Sequence, residues 1–465
     1  MVSPQSGRST REYANFLEKR KYLVTERAII SPMILPLAKH SAPIWKQKFK
    51  NISKITPEIK NLVADMRETL ELTSGVGLAA PQVNAPLRLF IVDYGRLKEV
   101  FINPRITSYK KETDSVEEGC LSVPRVRGEV NRVTKIEIDY IDLKGVRKKA
   151  TLTGYFARIV QHEYDHLSSV FYTDRVVDKK ELYTYKPIKI VFFGAPEFGA
   201  IILQTLYGQQ LVGEYSIDLV VTTPDKLSGR GQQTTPSEVK KTAVRFKLPV
   251  VTPDSIKDAK FARQLKQLEP DFIVLASYGK LIPKEILSIP KKGPLNVHPS
   301  LLPKYRGASP IATAILDGEK STGITIMKMN EKMDEGDILG VVKIRISPKD
   351  TSDTLSIKLA NVATRLIHYV LHLAAADKIR PKPQDNRKAT YTKLLKKADG
   401  YIEWKKPPTN LGAAIRAYYP WPGVWTRYKG KILKLLPEGG VQLEGKEPTG
   451  LKEFKAGHPD FILDW

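Results

Sequence analysis

Two histidines four positions apart, with a glutamate between them, are the first residues whose spacing points to chemistry: His162, Glu163 and His166. On a helix, residues four apart share one face, so both imidazoles can reach one metal ion while the glutamate lies beside it. Such an ion would lower the pKa of water from about 15.7 to about 7, and Glu163 could take and return the proton. The pattern predicts a metal-dependent hydrolase.

A catalytic site of this kind needs three protein ligands and one open position. The third ligand could be a histidine or an acid further along the chain, or the thiolate of Cys120, the only cysteine present. A lone cysteine is more often a small buried hydrophobic residue. The spacing therefore leaves the third ligand open, and a zinc peptidase with the same helix motif stays a rival interpretation.

A second group of polar residues follows two strand-like runs. Asn296 and His298 come at the end of one apolar run, and Asp334 follows another, Gly323 to Met329. Ligands of open α/β sheets bind at the carboxyl ends of strands, where an amide, an imidazole and a carboxylate could handle a tetrahedral intermediate. Capped loops are the plain alternative, because Asn and Asp favour turns. Neither G-x-G-x-x-G nor a P-loop follows the first strand of this region, so dinucleotide or triphosphate binding is not indicated.

The elements that must position these residues fall into distinct regions. A helix is predicted from Pro57 to about Ser74, and short β-rich runs after it indicate an antiparallel α+β domain. Beyond Pro187, continuous apolar runs alternate with helix-length segments, which is typical of a parallel sheet covered on both faces. These runs are Ile188 to Phe193, Ile217 to Val221 and Phe272 to Leu275. We therefore predict a multi-domain chain: an N-terminal extension over 1–32, which includes a short helix at Arg11 to Tyr22, an α+β domain over 33–185, an α/β domain over 186–385 and a small β-rich module over 386–465.

Composition limits the partners. The formal net charge of +25 and the pI near 9.7 favour an anionic partner such as nucleic acid. One cysteine cannot form an internal disulfide, and the N-terminus has no apolar signal core, so a reducing cytoplasm is expected. No apolar run approaches the roughly 20 residues that span a bilayer, so no membrane is expected.

Three motifs resemble those of peptide deformylases, in the order and approximate spacing of that family. They are Gly75-Val76-Gly77-Leu78-Ala79-Ala80-Pro81-Gln82, Glu118-Gly119-Cys120-Leu121-Ser122 and Gln161-His162-Glu163-Tyr164-Asp165-His166-Leu167. The resemblance covers roughly residues 33–178. One residue departs from it: Ser169 stands where the family usually has glycine.

This resemblance implies a site and an activity. Cys120, His162 and His166 would bind the ion, which the family implies is Fe(II), often replaced by zinc. Glu163 would be general base and then acid, and Gln82 and the backbone N–H of Leu121 would stabilise the oxyanion. Gly75 and Gly77 would let the backbone approach substrate closely. The implied reaction removes formyl from the N-terminal methionine of nascent peptides at the ribosome, and a peptidase would need neither Gln82 nor Cys120.

The rest of the chain, from about 187 to the C-terminus, resembles methionyl-tRNA formyltransferases. The resemblance is carried by Ile190 to Phe198, the loop from Pro224 to Ser237, Ser300-Leu301-Leu302-Pro303, Asp334-x-Gly336-Asp337 and Tyr419-Pro420-Trp421-Pro422-Gly423. The family implies a Rossmann-like domain followed by a β-barrel, and transfer of formyl from 10-formyltetrahydrofolate to methionine on initiator tRNA. Asn296, His298 and Asp334 match the catalytic trio, Ser300 to Pro303 the folate-contacting run, and Arg230 the loop that enters the tRNA acceptor end.

Three departures and two alternatives accompany this second resemblance. Ala195 replaces the usual threonine, and Pro299 replaces a small residue. Several strands that normally lie between Leu436 and Val441 are missing, so we expect a shortened C-terminal module.

The alternatives are a different folate-dependent formyltransferase, acting on a nucleotide or sugar amine, and an inactive tRNA-binding module. The whole chain is interpreted as a fusion that removes formyl at one end and attaches it at the other, and its separated halves should keep their activities.

Overall fold

The computed structural model describes residues 35–73, 75–95, 97–228 and 233–463. The chain divides into two compact units, residues 1–187 with 208–214, and residues 188–207 with 215–465. Among the described residues, no helix combines the length and apolar character that crossing a membrane requires. The predicted N-terminal extension over 1–32 and its short helix lie outside the described residues.

The described part of the first unit is built from two antiparallel sheets and three α-helices. Its strands are β1 Gly77–Ala79, β2 Leu89–Tyr94, β3 Leu97–Tyr109, β4 Thr113–Cys120, β5 Val123–Val133, β6 Lys135–Ile141, β7 Arg147–Thr153 and β8 Tyr183–Thr184. Its helices are α1 Pro57–Leu72, α2 Gly154–His166 and α3 Tyr172–Arg175. One sheet has the order β1-β2-β3-β6-β7 and the other β4-β5-β8.

Helix α2 lies against the larger sheet because one of its faces is apolar. Ala157, Ile159 and Val160 are buried in a cluster with Phe90 and Phe101 of the sheet. Helix α1 begins at a proline, as its sequence predicts, and buries Leu62, Val63, Met66 and Leu70 in a second cluster. The two clusters hold the sheet between the helices, so the residues of α2 are fixed relative to the strands.

The second unit contains a seven-stranded sheet and a small C-terminal module. Its strands are β9 Ile188–Gly194, β10 Tyr215–Val221, β11 Lys226–Ser228, β12 Gln233–Thr235, β13 Val250–Val251, β14 Phe272–Ala276, β15 Gly293–His298, β16 Arg306–Gly307, β17 Ser321–Lys328, β18 Ile338–Arg345, β19 Tyr391–Thr392, β20 Val424–Tyr428, β21 Lys431–Leu436, β22 Gly440–Leu443 and β23 Thr449–Gly450. Its helices are α4 Glu197–Leu211, α5 Glu238–Arg245, α6 Ala259–Gln267, α7 Lys284–Leu287, α8 Pro310–Leu316, α9 Ser352–Ala375, α10 Leu411–Tyr418 and α11 Leu451–Gly457.

The large sheet is mixed rather than wholly parallel. Its order is β13-β10-β9-β14-β15-β17-β18, in which β15 pairs antiparallel with β17, and β17 antiparallel with β18. The three continuous apolar runs correctly predict the parallel strands β9, β10 and β14. These runs do not predict β17 and β18. A short loop joins β17 to β18 in place of a helical crossover, so the two strands run in opposite directions.

The C-terminal module is a four-stranded antiparallel sheet, β20-β21-β22-β23, with α10 and α11 packed on it. A 3-10 helix at Pro437–Gly439 joins β21 directly to β22. Phe454 of α11 and Phe461 beyond it are buried in the core of this module. The predicted fold class is confirmed: an α+β domain, an α/β domain and a small β-rich module.

Candidate active sites

Cys120, His162 and His166 meet at one point of the first unit. Cys120 ends β4 at a two-residue turn into β5, and the histidines occupy the last two turns of α2. One possible ligand atom from each of the three lies within 4.8 Å of the other two, and Cys120 Sγ is 3.2 Å from His166 Nε2. A thiol with two imidazoles is a donor set that suits a first-row divalent ion such as iron or zinc. The residues therefore fit the metal that their sequence pattern predicts.

Glu118 fixes the orientation of His162 through a contact that no local sequence pattern predicts. Its Oε2 is 2.8 Å from His162 Nδ1, which leaves Nε2 as the atom free to bind a metal. Arg132 donates to both oxygens of Glu118, at 2.6 and 2.9 Å, and Arg158 donates to Oε1 at 2.7 Å. Burial opposes the charge on Glu118, but hydrogen bonds from His162 and Arg132 outweigh it and hold its pKa well below the usual range.

Glu163 lies between the histidines in a position made possible by Gly77. The side chain of Glu163 is buried, and burial raises its pKa to about 7. A Cβ atom on Gly77 of β1 would lie 2.5 Å from Glu163 Oε1 and 2.7 Å from two other atoms of that side chain. Glycine at 77 therefore leaves room for the carboxyl group of Glu163. This reason for a glycine differs from the predicted one, which was a close approach of the backbone to substrate. At Gly75 the nearest atom is the flexible tip of Leu70, at 2.6 Å.

Gln82 lies beside the same cluster. Its Oε1 accepts a hydrogen bond from the N–H of Ala79 at 2.8 Å, which turns Nε2 toward Cys120 Sγ at 3.6 Å. The amide is buried, and Leu121 follows Cys120 in the turn between β4 and β5. The structure therefore brings the predicted amide donor and the predicted N–H-bearing residue to the thiol.

The second group of polar residues meets at the end of β15. Asn296 Nδ2 donates to Asp334 Oδ1 at 3.0 Å, and His298 Nδ1 is 3.7 Å from Asp334 Oδ2. His298 Nε2 is 2.9 Å from the carbonyl oxygen of Tyr305, which can only accept, so Nε2 carries the proton and Nδ1 faces Asp334. Asn296 and His298 are buried. The trio predicted from strand ends is thus assembled.

The run from Ser300 to Pro303 continues directly from this trio. Ser300 is buried, and its hydroxyl donates to the carbonyl of Lys304 at 2.6 Å. The N–H of Leu302 donates to Thr325 Oγ1 at 3.1 Å, while Leu301 and Pro303 are partly exposed. The run is therefore held beside His298 by hydrogen bonds to Lys304 and Thr325. Arg230 lies outside the described residues, so its predicted contact with tRNA stays a prediction.

A thiol and two imidazoles around a buried glutamate, together with an amide, imidazole and carboxylate trio on a mixed sheet, define an enzyme with two separate sites. The polypeptide deformylase family model matches residues 34–182. The formyl transferase model matches 188–371, and the model of the formyl transferase C-terminal domain matches 394–450.

Similar proteins include methionyl-tRNA formyltransferases and a peptide deformylase. A methionyl-tRNA formyltransferase of Caldanaerobacter subterraneus subsp. tengcongensis is 42% identical over 264 residues, which are 57% of this chain and 84% of that protein. One from Caldicellulosiruptor saccharolyticus is 47% identical over 53% of this chain and 78% of its own length. The crystal structure of peptide deformylase from Thermotoga maritima is 36% identical and covers 31% of this chain and 99% of that one, with a TM-score of 0.31. The chain belongs to the methionyl-tRNA formyltransferase family and carries a polypeptide deformylase domain ahead of it.

Proposed function

We propose that the protein catalyses two opposite formyl reactions. The first unit removes formyl from the N-terminal methionine of nascent peptides, and the second transfers formyl from 10-formyltetrahydrofolate to methionine on initiator tRNA. The observation that carries this proposal is the presence of both complete constellations, Cys120 with His162 and His166, and Asn296 with His298 and Asp334, in one chain.

In the first reaction, water adds to the formyl carbon and the peptide amine leaves. Glu163 takes a proton from the attacking water and returns it to the departing nitrogen. Gln82 Nε2 and the N–H of Leu121 donate to the formyl oxygen as its negative charge develops. Glu163 suits this role because it lies between the two histidines, and Gln82 because Ala79 already fixes its amide.

Cys120, His162 and His166 would hold one divalent ion, and we propose Fe(II), with zinc as a functional or adventitious replacement. When bound, the ion supplies Lewis acidity and makes water more acidic at neutral pH. The glutamate between the histidines is not one of its ligands. Glu118 would leave Nε2 of His162 available to bind the ion, since its carboxylate already holds Nδ1 at 2.8 Å.

In the second reaction, the methionine amine adds to the formyl carbon and the folate nitrogen leaves. Asn296 has two N–H groups, of which one donates to Asp334 and the other can donate to the oxyanion. His298 and Asp334 handle the proton that the amine loses and the leaving nitrogen gains. The run Ser300-Leu301-Leu302-Pro303 contacts the folate, and Arg230 contacts the acceptor end of the tRNA.

The substrates also suggest partners and a compartment. Initiator methionyl-tRNA, formyl-methionyl peptides at the ribosome and 10-formyltetrahydrofolate occur together in the cytoplasm, where we place the protein. The net charge of +25 suits the phosphate backbone of tRNA. A zinc peptidase would not require Gln82 beside Cys120. A formyltransferase for a nucleotide or sugar amine would not require the loop that contains Arg230.

One experiment tests both activities in one tube. The purified protein is incubated with methionyl-tRNA and 10-formyltetrahydrofolate, and formyl-methionyl-tRNA is measured; a formyl-methionyl peptide is then added and released formate is measured. Both products are expected. Formate release alone would reduce the second unit to an inactive binding module, and transfer alone would refute the hydrolase.

A further inference from the structure

The segment that connects the large sheet to the C-terminal module lies against the formyltransferase trio. We call residues 384–392 the connecting segment. It contacts two loops: the one that contains Asp334, between β17 and β18, and the one that follows His298, residues 299–309. Its first two residues belong to the predicted α/β domain and the rest to the predicted C-terminal module, and no motif in its sequence predicts a role.

Gln384 binds the loop of Asp334 on both sides of Glu335. Its Nε2 donates to the carbonyl oxygen of Asp334 at 2.9 Å and to that of Gly336 at 2.7 Å. Asp334 has a φ of 53°, a left-handed conformation that is uncommon for residues other than glycine. Both N–H groups of the amide are thus used to hold one tight turn, and that turn sets the direction of the Asp334 carboxylate.

Arg306 holds Gln384 from the opposite side. The Arg306 side chain is fully buried, and its Nε and Nη2 donate to Gln384 Oε1 at 3.2 and 2.8 Å. Nη2 also donates to Asn386 Oδ1 at 2.6 Å, and Nη1 to the hydroxyl of Tyr391 at 3.1 Å. A buried guanidinium is stable only when its donors are satisfied, so these contacts fix the amide orientation of Gln384.

The connecting segment also supports the residues that contact Asp334 and His298. Residues Tyr391 and Thr392 pair in parallel with Arg306 and Gly307, and the N–H of Gly307 donates to Asp334 Oδ2 at 2.8 Å. Tyr305 accepts the hydrogen bond from His298 on its carbonyl oxygen. The N–H of Tyr305 in turn donates to Thr390 Oγ1 at 2.8 Å. Asp334 and His298 are therefore both held through this one segment.

We propose that Gln384 is a positioning residue for formyl transfer. The connecting segment, which leads into the C-terminal module, thereby forms part of the framework that supports the active site. The inference rests on the proposed transferase function. Gln384 does not reach the trio with its own side chain, and it acts through the backbone of Asp334. A displacement of that carboxylate by about 1 Å is enough to slow a reaction on the order of 100-fold.

The test replaces Gln384 by Met, which keeps the length of the side chain and removes both donors and the acceptor. We expect kcat for formyl transfer to fall on the order of 10- to 100-fold, with the KM values for methionyl-tRNA and for 10-formyltetrahydrofolate within about twofold of the parent. Deformylation by the same chain should be unchanged. Arg387→Ala is the matched control, because that side chain is 89% exposed and pairs only with Asp385 among the described residues.

A second variant separates positioning from general loosening of the segment. Asn386→Ala removes one contact of Arg306 without touching the Asp334 loop, and it should lower kcat far less than Gln384→Met does. Unchanged kcat in Gln384→Met, a rise in the KM for tRNA in place of a fall in kcat, or equal losses in both variants would each overturn the inference. If the unmodified protein transfers no formyl at all, the proposed function itself fails.

Discussion

At the scale of single residues, Glu118 supports the metal site without being one of its predicted ligands. We expect Glu118→Gln to lower affinity for the metal about 10- to 100-fold, since it weakens the contact with His162 and leaves Arg132 and Arg158 without their shared anion. Glu117→Gln is the control, because that neighbour is half exposed. Metal content after dialysis against a graded chelator series measures the effect. Equal retention in the two variants would contradict it.

The same scale shows what the sequence can and cannot reveal about the site. His162 and His166 are visible because residues four apart on a helix share a face. Cys120 is visible only through its resemblance to a family motif. The role of Glu118 depends on three partners that are distant in the chain, one on β5 and two on α2, so no local pattern reveals it. The same holds for Gln384 and Arg306.

At the scale of elements, the close contact between β1 and α2 determines where Glu163 can lie. Gly77→Ala would place a Cβ atom 2.5 Å from Glu163 Oε1, so the carboxyl group must move. We expect deformylation to fall on the order of 100-fold while the bound metal is retained, because the three ligand residues are untouched. Formate release and metal analysis on one preparation measure both quantities. Loss of metal together with activity would show that the strand itself had shifted.

The turn that follows α2 holds Ser169 in an unfavourable backbone conformation, and a single substitution can relieve it. Ser169 has a φ of 57°, in the left-handed region, which explains why deformylases usually have glycine there. We expect Ser169→Gly to raise the free energy of unfolding of this unit by about 0.5–1 kcal/mol. Ser168→Gly, at a residue without positive φ, should lower it by about the same amount. Denaturant titration of both variants would contradict this if they shifted in the same direction.

The sequence predicts best the elements in which apolar residues follow one regular spacing or form one continuous run. Helix α1 and strands β9, β10 and β14 were found because an apolar face or a continuous apolar run defines each. The hairpin of β4 and β5 was missed, because half of the residues of β4 are exposed and most of them are polar. The antiparallel pairing of β17 and β18 depends on loop length rather than on composition, so the sheet was predicted as wholly parallel.

At the scale of the whole molecule, the two sites should work independently. We expect Cys120→Ser to abolish metal retention and deformylation and to leave formyl transfer unchanged. Asp334→Asn should abolish formyl transfer and leave metal retention and deformylation unchanged, because its carboxylate accepts hydrogen bonds from Asn296 and Gly307 of the transferase site. Both activities are measured on each full-length variant. If either variant lowered the activity of the other site by more than about tenfold, the two sites would be coupled. If Cys120→Ser retained both metal and deformylation, the assignment of Cys120 as a ligand would be refuted.

The overall charge should make one of the two reactions sensitive to salt and leave the other almost unaffected. With 75 basic and 50 acidic residues, the chain attracts a polyanion such as tRNA, and binding to phosphates weakens steeply as salt competes for them. Raising salt from about 50 to about 200 mM should therefore raise the KM for methionyl-tRNA at least tenfold. The KM for an amidated formyl-methionyl dipeptide, which carries no charge, should change less than about twofold. Because one preparation performs both reactions, the peptide assay controls for any general effect of salt. Parallel changes in the two KM values would mean that the charge of this chain does not serve to bind tRNA.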